Sequence, residues 1–200
     1  ILASFTACNQ KKAVWNKEAL REAITNISTA AKAEHVGVAL MYLETGDTLS
    51  VRGNEPYPMQ SVFKLPLSIV MMHEIDNGKY KLTDKIHISK ADVEPYSWSP
   101  VIDKYPEADV DLPIEEVIGY AISRSDNVSC DKLFEVLGGP RYVDSCIHSL
   151  NVRGISIVAD EAEMHKNWNI QYSNWCQPVD MVNMLARLHR GDLLSAPGTA

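Results

Sequence analysis

Apolar residues recur at helical spacing through Trp15, Ala19, Leu20, Ala23, Ile24, Ile27 and Ala31, which predicts an amphipathic helix over residues 16–33. Two short apolar runs follow, 36–43 and 49–52, and Glu44-Thr45-Gly46-Asp47 between them reads as a hairpin turn. Residues 61–77 are apolar on every side, the pattern of a buried helix, and Asn77-Gly78 stops it. A polar connection leads to a predicted helix over 112–123, with Pro113 in its first turn. Residues 128–137 predict a further helix ending at Gly138-Gly139, and Pro140 starts another that runs to about Leu150. The stretch 155–158 is briefly apolar. From 159 to 177 no period holds, and polar residues are interrupted by Trp168, Tyr172 and Trp175; such a long stretch inside a compact domain is usually functional. A helix over 178–190 closes the pattern, and 193–200 trails off. Two strands followed by helices make a poor sheet, because a lone hairpin is barely stable. Its partners are expected from sequence beyond these residues.

Composition narrows the choices. At 46% hydrophobic and 22% charged, the 200 residues are ordinary for a globular domain with a real core. The net charge of −7 and the lack of a basic run argue against a nucleic-acid partner. No apolar run approaches the length that spans a bilayer. The opening Ile1-Leu2-Ala3-Ser4-Phe5-Thr6-Ala7-Cys8 is small and apolar, then turns polar at Asn9. It resembles the end of an export signal, with Cys8 carrying lipid or, alternatively, with cleavage near Ala7. Cys130, Cys146 and Cys176 then remain, an odd number at spacings that match no zinc pattern, and Cys130 and Cys146 read as small buried thiols. The six histidines are scattered, and His73-Glu74 lacks a second His four residues on. No metal and no cofactor are expected.

The candidate chemistry lies in two short motifs. Ser61-Val62-Phe63-Lys64 is an S-x-x-K, and Ser125-Asp126-Asn127 follows it. Ser61 opens the predicted buried helix, where backbone N–H groups are unpaired and the positive end of the dipole faces outward. Lys64 lies one turn on and is expected to reach the Ser61 hydroxyl. A lysine titrates at about 10.4 when unperturbed, so it needs burial or cationic surroundings to serve as a base. The competing reading makes Ser61 a helix cap and Lys64 solvated, and Ser, Asp and Asn at 125–127 are also capping types. A second S-x-x-K, Ser129 to Lys132, reads as surface decoration on a helix. Two caps in this order and separation are less economical than one site.

These motifs resemble those of class A serine β-lactamases over nearly the whole chain after about Trp15. Tyr57-Pro58-Met59-Gln60-Ser61-Val62-Phe63-Lys64 is similar to the family's nucleophile segment, Trp98-Ser99-Pro100 to its element at the cleft mouth, and Leu137-Gly138-Gly139-Pro140 to its turn after the S-D-N helix. Asp160-Glu161-Ala162-Glu163-Met164-His165 falls where the family has its omega loop, and Gln60, His165 and Asn174 resemble a divergent extended-spectrum subgroup. The resemblance implies that Ser61 attacks the lactam carbonyl and that Lys64 serves as base or proton relay, a role disputed with a glutamate acting through water. It implies that Ser125 returns the proton to the ring nitrogen and that Asn127 binds the substrate's acylamino group and positions Lys64. Trp98 and Gln60 would border the substrate, and Glu161 would activate the hydrolytic water. The usual E-x-x-L-N is altered here, with Met164 and His165 in place of Leu and Asn, and Asp160 and Glu163 are rival carboxylates. The family's K-T-G is not found in these residues.

The expected fold is therefore α+β: a helical lobe beside an incomplete α/β lobe whose antiparallel sheet lacks its C-terminal strands. Residues 1–13 would be leader, 14–54 the start of the α/β lobe, and 55–200 the mostly helical lobe, with the omega loop near 159–177. The expected protein is an exported monomer of the bacterial periplasm, with a β-lactam as its small-molecule substrate. As given, the piece would be an inactive fragment of an active enzyme. The alternatives are a penicillin-binding D-alanyl-D-alanine peptidase, against which Asp126 and the Glu161 loop argue, and a non-catalytic β-lactam sensor or binding module.

Overall fold

A computed structural model describes residues 15–95 and 97–199; Cys8 and the expected leader lie outside the described residues. The chain forms two compact units, residues 1–36 and 37–200, so the first boundary falls just before the first strand. In the first unit, helix α1 spans Lys17–Ala30, and the Asn16 side chain caps it by accepting from Ala19 N–H at 3.0 Å.

The second unit begins with the expected hairpin. Strands β1 (Val38–Tyr42) and β2 (Asp47–Val51) pair antiparallel, with Leu40 opposite Leu49. Strand β3 (Tyr57–Pro58) leads into a 3-10 turn over Gln60–Phe63, and helix α2 (Lys64–Asp76) follows. The apolar pattern from 61 predicts one continuous helix, yet α-helical bonding starts only at 64. Pro66 is the reason: it has no N–H to offer the Val62 carbonyl, which accepts from Lys64 N–H instead. As the all-round apolar pattern implies, α2 is the central element, with Leu67, Ile69, Val70 and Met71 buried. Phe63 joins it to the next layer through the ring of Phe134, centroids 5.7 Å apart.

The polar connection conceals a second hairpin. Strands β4 (Lys85–Ser89) and β5 (Asp109–Pro113), separated by the short helix α3 (Pro100–Lys104), pair antiparallel with Ile86 opposite Leu112 and Ile88 opposite Val110. Leu112 and Pro113 therefore end a strand and do not start a helix. Pro113 is extended, and helix α4 begins after it at Ile114–Ser123. Helix α5 spans Asn127–Leu137 and is closed by Gly138, whose φ of 96° is the left-handed cap conformation glycine adopts freely. Helix α6 spans Pro140–Ser149, with Pro140 in its first turn. Strand β6 covers Ile155–Ser156.

The aperiodic stretch is not structureless. It holds helix α7 (Glu161–Lys166), a 3-10 turn over Trp168–Tyr172, and strand β7 (Trp175–Cys176). Each is too short to show a period. Strand β7 lies between β3 and β6, antiparallel to both, which ties the stretch to the segment preceding Ser61. Helix α8 (Pro178–Arg190) packs on β1, and helix α9 (Ala196–Thr199) lies against α2, where Asp76 accepts from Ser195 N–H at 2.7 Å. The unit is thus α+β, with three small antiparallel sheets around a helical core among the described residues. Among the described residues no helix is long and apolar enough to cross a membrane.

Candidate active site

Lys64 is the hub. It opens α2 and is 2% exposed, and a buried ammonium group needs anionic or polar partners around it. Its Nζ donates to Asn127 Oδ1 at 2.6 Å and Ser125 O at 2.8 Å, approaches Glu161 Oε1 at 2.9 Å, and reaches Ser125 Oγ at 3.3 Å. Three protons face four oxygens, so the Ser125 hydroxyl, the most distant, has the weakest hold. The Glu161 contact is one of charge more than alignment: Oε1 is buried and makes no well-directed hydrogen bond among the described residues.

Ser61 lies on the exposed side of the 3-10 turn. The expected bond from Lys64 to its hydroxyl is not made, because the lysine is turned toward residues 125, 127 and 161. Among the described residues the Ser61 N–H has no backbone acceptor, since the turn's hydrogen bonding begins with Val62 N–H to Met59 O. A free hydroxyl beside an unpaired N–H suits a nucleophile with one donor for a developing oxyanion. Gln60 and Ser125 both have positive φ, 46° and 55°. Such backbone strain, of order 1–3 kcal/mol for a residue other than glycine, collects at functional sites.

The S-D-N tripeptide splits its side chains between two environments. Ser125 and Asn127 face Lys64, while Asp126 is fully buried and faces the other way. Its carboxylate accepts from Val101 N–H and Ser129 N–H, both at 2.7 Å, and from the Ser99 hydroxyl at 3.1 Å. Asp126 caps α5 and fixes the link. Asn127 N–H donates to Trp98 O at 3.0 Å and its Nδ2 to Ser97 Oγ at 3.2 Å, while Trp98 itself is largely exposed, with Nε1 donating to Arg124 O.

The three carboxylates of 160–163 separate by task. Asp160 and Glu163 form a capping box, with Glu163 N–H donating to Asp160 Oδ1 at 2.8 Å and Asp160 N–H to Glu163 Oε2 at 3.3 Å. Only Glu161 turns to Lys64. Its backbone is clamped from below by Asp131, which accepts from Glu161 N–H at 2.8 Å and Ala162 N–H at 3.0 Å. Burial pushes the Asp131 carboxyl up to about 7, against the pull of the Glu161 N–H; the neighbouring Asp160 and Glu161 charges raise it further. At the far end, buried Asn174 accepts from Val158 N–H at 2.8 Å and Ala159 N–H at 3.1 Å and donates to Ala159 O at 2.8 Å. Its backbone carbonyl accepts from Met59 N–H at 2.9 Å, two residues before Ser61.

A cavity of about 380 Å³ opens beside this cluster, lined by Asn127 and Glu161 with Gln60, Ser97, His165 and Trp168 among others. Ser97 lines it where Trp98 was expected. Gln60 Nε2 donates to Gln171 Oε1 at 2.8 Å, closing one edge of the cavity. Asp131, Ser97 and Gln171 were not singled out by sequence reasoning. Asp131 sits inside the second S-x-x-K, whose reading as surface decoration fails: Ser129 is fully buried, and Lys132 pairs with Asp92 and Glu135. Cys130 is buried, with its thiol pushed well up by desolvation, which leaves it unreactive. Among the described residues no metal-ligand cluster forms in this site.

Comparison with known proteins gives a consistent picture. The sequence model of the beta-lactamase enzyme family matches residues 19–200. The chain is similar to beta-lactamase VEB-1 of Pseudomonas aeruginosa, 38% identical over 155 residues that cover 78% of this chain and 52% of the relative. It is 34% identical to the extended-spectrum beta-lactamase PER-1 of the same species, over 90% of this chain and 58% of the relative. Among solved structures, a beta-lactamase from Chitinophaga pinensis superposes with a TM-score of 0.86 at 43% identity, covering 90% of this chain and 66% of that one. TLA-3 extended-spectrum beta-lactamase gives a TM-score of 0.88 at 37% identity, covering 92% and 66%. The chain thus spans about half the length of the curated relatives it matches.

Proposed function

The chain belongs to the beta-lactamase enzyme family, as a divergent member of its extended-spectrum class A branch, and from that membership we propose that the protein hydrolyses β-lactams through an ester on Ser61. The observation that carries this reading is the convergence of Ser125, Asn127 and Glu161 on the Lys64 ammonium. Lys64 takes the Ser61 proton as Oγ bonds to the lactam carbonyl carbon, and gives up in exchange the proton it passes to Ser125. The Ser61 N–H steadies the oxyanion. Collapse breaks the C–N bond, and Ser125 delivers a proton to the departing nitrogen, replenished from Lys64. The Glu161 carboxylate then takes a proton from the water that cleaves the ester and passes it to Ser61 Oγ as the C–O bond breaks. Asn127 and the Gln60 edge hold the substrate's side chain, and Trp98 shields the mouth. The names of PER-1 and TLA-3 support an extended-spectrum substrate range.

The test is to mix a penicillin with the protein expressed from its complete reading frame, following intact mass and lactam loss together. Rapid loss with no lasting adduct supports hydrolysis. An adduct of the drug's mass that persists on Ser61 contradicts it and favours the peptidase or sensor reading. The small residues ahead of Cys8 further support export to the periplasm with lipid on that cysteine, and the enzyme is proposed to act as a monomer. Labelling with radioactive palmitate, lost in Cys8→Ser, tests the anchor, and sedimentation tests the monomer.

A further inference from the structure

At the opposite end of α2, three side chains with no part in the proposed reaction come together. The ligating atoms of His73, Glu74 and Cys146 all lie within 4.8 Å of one another. Sequence spacing could not show this, because the third member comes from α6, far along the chain. We propose that these residues form a zinc-binding site that staples α2 to α6.

The donor set suits that metal. Imidazole, thiolate and carboxylate together favour zinc over magnesium or calcium, which prefer oxygen alone. Zinc holds such ligands at about 2.0–2.3 Å, so ligand atoms stand roughly 3.5 Å apart in a tetrahedral site. A contraction of about 1 Å, available to side-chain torsions, closes the present cluster. Glu74 is only 7% exposed, yet it keeps an ion pair with Lys79 at 3.1 Å, and Lys79 is itself well exposed. A divalent cation would take the place of that ammonium, which keeps the Tyr142 hydroxyl at 3.5 Å and the Tyr142 ring as partners. His73 has an orienting partner: its Nε2 lies 3.0 Å from Asn77 Nδ2. With zinc on Nδ1 and the proton on Nε2, a half-turn of the Asn77 carboxamide supplies the acceptor. Cys146 binds as thiolate and gives its proton to solvent. One thiolate and one carboxylate balance the charge of the ion, and a water completes the fourth position. The ten-residue step from Lys64 to Glu74 puts roughly 15 Å of helix between this site and the catalytic cluster. Zinc here lies apart from the proposed reaction and ties together two helices that pack in the core.

The test uses the protein from its complete reading frame carrying Cys8→Ser, so that the leader thiol does not compete. Cobalt is titrated in as a spectroscopic probe, then displaced with zinc. The expected result is one equivalent bound, with a thiolate-to-metal absorption band that Cys146→Ser abolishes and Cys176→Ser leaves intact. His73→Gln and Glu74→Gln each weaken affinity at least tenfold. Zinc also raises the melting temperature, and slows iodoacetamide labelling of Cys146, located by mass spectrometry; this second readout needs no cysteine or histidine change near the site. The proposal is overturned by less than one equivalent of metal with no band, by a band that survives Cys146→Ser, or by labelling of Cys146 at an unchanged rate in zinc. None of these readouts depends on lactam hydrolysis.

Discussion

Two segments bring groups to Lys64, and they are held by different means. The link at 124–127 is anchored in the core: Asp126 is fully buried between Ser99, Val101 and Ser129, so Ser125 and Asn127 inherit the rigidity of two packed helices. The 159–177 segment carries exposed Trp168 and Tyr172 and depends on two side chains, Asp131 below α7 and Asn174 at its far end. The groups assigned to forming the ester thus stand on the fold, while the group assigned to hydrolysing it stands on two hydrogen-bonded clamps. The two half-reactions should therefore separate under mutation.

The largest effect is expected from Asp126→Ala, which orphans several buried donors. Urea unfolding should show a loss of about 3–5 kcal/mol, with little folded protein at growth temperature. Near-normal stability would mean that the link is not fixed from the core. Asn174→Ala frees two N–H groups and one carbonyl and should cost about 2–3 kcal/mol. Stopped-flow acylation should stay within a few-fold of the parent while ester hydrolysis slows more than tenfold. An equal loss in both steps would erase the distinction between the segments.

A pH dependence sharpens it. Folded Asp131 keeps its proton up to about pH 7, whereas the unfolded chain gives it up near 3.8. Between those values the folded state binds the extra proton, so this contribution to stability is full below about pH 4 and is lost as pH rises toward 7. Unfolding midpoints measured across that window should fall with rising pH, and Asp131→Asn should flatten the slope. An unchanged slope would show that the clamp does not titrate there. The smallest effect belongs to Trp168→Ala: the ring is 74% exposed, so the melting curve should move by no more than the equivalent of about 0.5 kcal/mol.

What the sequence disclosed follows the same division. Ser61, Lys64, Ser125 and Asn127 were legible because each pair sits in a contiguous motif. Glu161 was legible only by resemblance, yet a local signal was present: Asp160-x-x-Glu163 is a capping box, which would have assigned both rivals to the backbone. The hairpin β4–β5 was missed although Lys85-Ile86-His87-Ile88-Ser89 alternates strictly, because five residues with charged and polar ends resemble a loop. The support roles of Asp131 and Asn174 were not legible. Their partners lie across turns of chain, and a buried carboxylate clamp looks the same in sequence as a solvated helix residue. The pairing of Cys146 with His73 and Glu74 was hidden for the same reason.

The central claim is that Glu161 serves the hydrolytic step and that Ser61 can be acylated without it. The most direct test measures the two steps separately in Glu161→Gln, by single-turnover mass spectrometry with a penicillin. The expected result is a stoichiometric adduct on Ser61 that hydrolyses about 10²–10⁴-fold more slowly than in the parent. Hydrolysis at the parental rate would contradict it and move the water-activating role to another group.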